Sequence, residues 1–131
     1  MSKSRSVLAL AAAAALAATA IPATAHHSFP ATYHIDQMTK IEGTVVQFLF
    51  RNPHSFVHVM APDKNGKMQR WAVEWGGGAA LAREKVTSTT LKPGDHVIIE
   101  GNPGRNDADH RIRMQKIDRP KDGWHWGGDF D

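Results

Sequence analysis

The sequence predicts an all-β fold with small α content: a five-stranded Greek-key barrel with one short helix between strands three and four. Two observations carry that expectation. The stretch from Ile41 to Met60 is dense in β-branched and aromatic residues and is divided by Arg51-Asn52-Pro53. Such residues suit a pleated, half-buried surface, and proline cannot donate to a ladder, so the stretch reads as two strands and a tight corner. The second observation is order. Three strand-like runs precede the one good helix-forming run after residue 25, and two more strand-like runs follow it.

The chain opens with a leader. Lys3 and Arg5 precede an unbroken run of Val, Leu, Ala and Thr from Val7 to Ala20, which Ile21-Pro22 ends before Ala23-Thr24-Ala25. A basic start, an apolar centre and a small-residue end make residues 1–25 a secretory signal peptide cleaved after Ala25. Ala18-Thr19-Ala20 is a competing cleavage site. The apolar run is shorter than the roughly 20 residues that a membrane span needs, so no stable span is expected after cleavage. No twin arginine is present, which points to Sec-type export and a periplasmic or secreted protein.

Residues 26–39 lack a clear period and contain Pro30, so they read as an extended N-terminal arm that Phe29, Tyr33 and Ile35 can pin to the barrel. The barrel itself is expected over residues 40–118. Strand one runs from Lys40 to Phe50, with Gly43 permitting a bulge or bend. Strand two is Ser55 to Ala61, and the Asn65-Gly66 pair marks the hairpin loop after it. In strand three, Met68 to Trp75, alternation puts Trp71, Val73 and Trp75 on one face and Ala72 and Glu74 on the other. Gly76-Gly77-Gly78 reads as a flexible connector into a two-turn helix, Ala79 to Lys85. Leu91-Lys92-Pro93-Gly94-Asp95 is a strong turn. Strand four is His96 to Glu100, and strand five is His110 to Ile117, after a Gly- and Asp-rich loop. Residues 119–131 form a tail with Trp124, Trp126 and Phe130. Five strands with a helix between the third and fourth is the order of an OB-like barrel, with an SH3-like barrel or small sandwich as competitor.

Charge narrows the function classes. The chain has 16 basic and 13 acidic side chains, a net of +3. Losing Lys3 and Arg5 with the leader leaves 14 against 13, a net of +1. A near-neutral exported domain is a poor nucleic-acid binder. With no cysteine there is no disulfide framework, so the fold rests on its core.

Eight histidines and no cysteine invite a metal reading. Cleavage after Ala25 makes His26 the first residue, where a free amine and an imidazole nitrogen chelate one ion. A second imidazole completes a nitrogen site suited to copper or another transition metal. His27, His34, His54 and His125 are candidates for it, and His26, His27, His34 and His54 form the expected metal set. His54 and His58 are about 13 Å apart along a strand, too far to share one ion. His54 otherwise reads as a corner residue bonded to backbone.

Tryptophans offer a second reading. Trp71 alternates into the core, whereas Trp75, Trp124 and Trp126 neighbour glycines and are expected at a ligand surface for a cell-envelope glycan or protein. Catalysis has little support. Glu74 and Glu84 are single carboxylates on different elements, and Ser55 beside His54 faces the other way. The glycine run before the helix can cradle an anion, but no lysine follows at P-loop spacing. Arg105 to Arg113 alternates in sign and reads as a solvated hairpin.

Signal peptide, His26-His27-Ser28-Phe29, Gly43-x-Val45, Asn52-Pro53-His54, a Trp71-containing strand and Leu91-Lys92-Pro93-Gly94-Asp95 occur in that order. In this the chain resembles an uncharacterised family of secreted bacterial proteins, catalogued as a domain of unknown function, DUF6152. The resemblance covers nearly all of the chain after the leader and implies an exported β-domain with no established activity. The Trp124-His125-Trp126 tail extends beyond that pattern. The resulting expectation is a non-catalytic binding domain, with copper at the histidine arm or, alternatively, a cell-envelope partner at the tryptophans.

Overall fold

The structure is a computed structural model that describes residues 28–127. The leader, His26, His27 and Phe130 lie outside the described residues. Among the described residues no helix is long and apolar enough to cross a membrane.

The strands are β1 (Thr39–Leu49), β2 (Ser55–Pro62), β3 (Met68–Trp75), β4 (His96–Pro103), β5 (Arg111–Arg119) and β6 (Trp124–Gly127). Two short helices accompany them, α1 (Phe29–Thr32) before the barrel and α2 (Gly78–Arg83) between β3 and β4. β1 pairs with β4 through its first half and with β2 through its second. β2 pairs antiparallel with β3, and β4 with β5. Residues 72–74 of β3 then run parallel to residues 111–113 of β5. That contact closes a five-stranded barrel in the order β1-β2-β3-β5-β4, the OB-like arrangement expected from the order of elements.

One face of each strand builds the core. Val57, Val59 and Ala61 of β2 point inward with Val73 and Trp75 of β3, Val97 and Ile99 of β4, and Ile112, Met114 and Ile117 of β5. Leu81 of α2, with Val86 and Leu91 of the segment after it, belongs to the same cluster. Each such aliphatic side chain contributes about 1.5–3 kcal/mol by leaving water.

Two register shifts keep that face inward as the strands coil. Val46 is the extra residue of β1 opposite β2, and Gln115 is the extra residue of β5 opposite β4. Each bulge flips the alternation, so the inward series runs Val45 then Phe48, and Met114 then Ile117. The bulge therefore sits at Val46 and not at Gly43. Gly43 serves a different need, because a Cβ there would lie 2.0 Å from the carbonyl oxygen of Met60.

Other departures from the sequence expectation have local causes. The arm is not extended throughout, because Pro30 falls in the first turn of α1, where its missing N–H is no loss. Phe29 and Tyr33 do pin the arm, with Tyr33 bridging to Gly104 of the β4–β5 loop, but Ile35 is exposed. The glycine run is a packed joint and not a flexible connector. A Cβ on Gly77 would lie 2.5 Å from the Pro53 oxygen, and the N–H groups of Gly78 and Ala79 donate to Arg51 O and Asn52 Oδ1. Those bonds occupy the donors that an anion cradle would need. The tail supplies a sixth strand, because β6 pairs with the second half of β5 beyond the point where β3 leaves it.

Candidate functional site

Register assembles the site. In β2, His54 precedes the strand on the same alternation as Phe56, and Phe56 lies opposite Glu74 of β3. Glu74 in turn lies beside Arg113 of β5, whose neighbour on that face is Arg111. The barrel thus carries a patch of His54, Phe56, Glu74, Arg111 and Arg113 on the side away from Val73 and Ile112. The N-terminal arm folds over this patch. Phe29 stacks on the His54 ring at 5.6 Å between centroids, and Arg113 lies 4.0 Å over the Phe29 ring.

Glu74 is the centre of the arrangement. The strand is only 7 % exposed there, although alternation placed Glu74 on the outward face. Its Oε2 accepts from the Tyr33 hydroxyl and, at 3.2 Å, from Arg111 Nη2. Its Oε1 is bonded to Nδ1 of His54. A carboxylate only accepts, so His54 carries its proton on Nδ1 and, when neutral, presents the lone pair of Nε2. Among the described residues nothing engages that nitrogen. Tyr33 is fully buried, and burial first, then its bond to the Glu74 carboxylate, pushes its hydroxyl well above the ordinary tyrosine range.

A cleft of about 700 Å³ opens on these groups. Arg51, Asn52 and Pro53 of the β1–β2 corner form one wall, and Phe29, Phe56 and Arg111 form another. Across the corner the Arg51 N–H donates to the Ser55 hydroxyl, which in turn donates to Arg51 O, and the Asn52–Pro53 peptide is cis. Ser55 is used in that turn and points into the barrel, as its place beside His54 predicted.

The structure separates the sequence candidates sharply. His54 lies in the cleft, bonded to a side chain and not to backbone. His34 lies elsewhere, its ring against Arg105 of the β4–β5 loop at 3.4 Å. His125 is exposed on β6. Among the described residues no group of three metal-binding side chains forms, and His26 and His27 fall outside them. His58 is half-buried, and burial, followed by nearby Arg70 and Arg51, lowers its pKa.

The expected tryptophan surface is corrected. Trp75 is fully buried and Trp126 nearly so, their rings packed edge to face at 5.1 Å. Gly76 beside Trp75 is buried with it, whereas Gly127 beside Trp126 is exposed. Trp124 is half-buried under the Arg119 guanidinium, 5.2 Å from its ring. Trp71 is half-buried, its indole N–H donating to Ala61 O at 3.1 Å, and it lines a second cleft of about 460 Å³. The expected solvated hairpin is corrected as well, since Arg105 donates to Pro30 O while Arg111 and Arg113 reach the arm and the site.

Sequence reasoning missed Tyr33, Arg111 and the central role of Glu74. A buried carboxylate needs partners, and those come from residues 33, 54 and 111, which no local spacing connects. The one available signal was Glu74 itself, a charge between Val73 and Trp75 at the apolar end of its strand. No curated protein and no solved structure matches the sequence. The profile of a family of unknown function, DUF6152, matches residues 12–113, most of the chain, and the protein belongs to that family.

Proposed function

We propose that the protein is an exported, non-catalytic binding domain that holds a copper or other transition-metal ion between its mature N-terminus and His54. The observation that carries this reading is the bond from His54 Nδ1 to the buried carboxylate of Glu74. Metal-binding histidines are habitually oriented by such a carboxylate, which selects the tautomer and raises the basicity of the other nitrogen. Here that other nitrogen is Nε2, beside a cleft. Phe29 rests on the same imidazole, and the chain from Phe29 back to His26 is about 10 Å at full extension. A histidine amine and ring at position 26 are therefore within reach of His54, with His27 as an additional donor. His34, tied to Arg105, has no part in the site. The envelope-partner alternative loses Trp75 and Trp126 to the core.

The test is a Cu(II) titration of the untagged protein purified after export. One ion per chain is expected. His26→Ala, His54→Gln and an N-terminal extension should each abolish tight binding, and Glu74→Gln should weaken it about 10- to 100-fold. His34→Ala should leave it unchanged. Unaltered affinity in both His26→Ala and His54→Gln would overturn the reading.

A further inference from the structure

The cationic wall of the same cleft carries more charge than the metal reading uses. Glu74 is the only carboxylate among the residues lining it, and its oxygens are already engaged by Tyr33, His54 and Arg111. Arg51 is exposed, and among the described residues no carboxylate pairs with it. Its guanidinium lies over the Phe56 ring at 5.5 Å from the centroid, and the guanidinium of Arg111 lies over the same ring at 5.8 Å. Arg111 commits Nη2 to Glu74, while its Nε is buried and meets no acceptor among the described residues. One aromatic ring thus holds two planar guanidinium groups at the wall of an open cleft, and the exposed one, Arg51, has donors to spare.

We infer that this wall is a binding subsite for a small organic carboxylate. Guanidinium groups match the geometry of a carboxylate with paired N–H donors, and their bonds to it are charge-assisted. The surplus of Arg51 over the neutralised Glu74 and Arg111 supplies the attraction. The remaining walls select the rest of the ligand. Phe29, Phe56 and Pro53 are apolar, so the acid that fits has a flat or hydrocarbon body and is not a bare inorganic anion. A cleft of about 700 Å³ lies within the range of small-molecule sites. The subsite rests on the arginines and the rings alone, so it stands or falls independently of the metal.

The test is an NMR titration of chelator-washed protein with benzoate and, separately, with inorganic phosphate, following the arginine side-chain Nε–H resonances. Benzoate should give saturable shifts at Arg51 and Arg111 and bind more tightly than phosphate. Arg51→Gln, a change at an exposed side chain, should weaken benzoate at least about tenfold, the loss of one charge-assisted contact. Arg51→Lys keeps the charge without the fork and should fall between. An absence of saturable shifts, phosphate binding as tightly as benzoate, or an unchanged affinity in Arg51→Gln would each overturn the assignment. Benzoate binding that persists in His26→Ala, while copper binding is unaffected by that change, would count against the metal reading and leave the carboxylate subsite intact.

Discussion

Glu74 accepts from three side chains that enter from the arm, the β1–β2 corner and β5. Removing its charge leaves those donors facing one another in a mostly enclosed space. Glu74→Gln should therefore cost about 2–4 kcal/mol in denaturant unfolding, the range for breaking a buried pair discounted for the partial exposure of His54 and Arg111. Tyr33→Phe removes one donor and should cost about 1–2 kcal/mol. Tyr33 also sets an alkaline limit. Its folded pKa is raised above the ordinary value of 10.0, so the neutral hydroxyl contributes stability that is fully present below about pH 10. Above that pH the unfolded chain loses its proton while the folded one keeps it, and stability falls. Unfolding midpoints measured through pH 10 should decline in the native protein and decline less in Tyr33→Phe. Equal slopes in the two proteins would remove the burial argument.

The elements depend on two close approaches and one added strand. Gly43 and Gly101 sit where neighbouring backbone passes so closely that a Cβ would meet a carbonyl oxygen at 2.0 Å, that of Met60 and of Arg113 respectively. Gly43→Ala or Gly101→Ala should cost about 3 kcal/mol by forcing the paired strands apart, read as a lowered denaturation midpoint. By contrast, Gly66→Ala meets no atom, and its penalty comes only from a positive φ of 79°. At the other edge, β6 lays Trp126 on Trp75, and the indole N–H of Trp126 donates to Glu84 beyond α2. Trp126→Ala should cost about 3–4 kcal/mol by opening a cavity beside Trp75. An unfolding curve that does not move would mean that the tail is an appendage and not a strand of the fold.

For the whole molecule, a metal held by the folded protein and not by the unfolded chain raises stability by mass action, about 2.7 kcal/mol at a hundredfold excess over Kd. Copper should accordingly raise the melting temperature of the untagged protein, and a chelator should return it. Loss of that rise in His54→Gln ties it to the cleft. Much of the barrel was legible along the chain. Alternating apolar residues marked five strands, Asn52-Pro53 and Pro93-Gly94 marked turns, and the run at Ala79 marked the helix between strands three and four, because each of these signals is local. His54 was legible as a candidate because its residue type and its corner position are local too. The tail strand was not, since Trp124 to Gly127 is too short to read as a strand until β5 offers it an unpaired edge. Nor was the packing of Trp126 against Trp75, which that strand brings about. By itself the sequence determined the order and kind of the elements and the approximate inward face of each strand. Only the tertiary structure decided that Tyr33, His54, Glu74 and Arg111 converge, because their meeting depends on strand register, on the parallel contact between β3 and β5, and on the arm folding back across them. Those are pairings between distant residues, and no period within one segment encodes them.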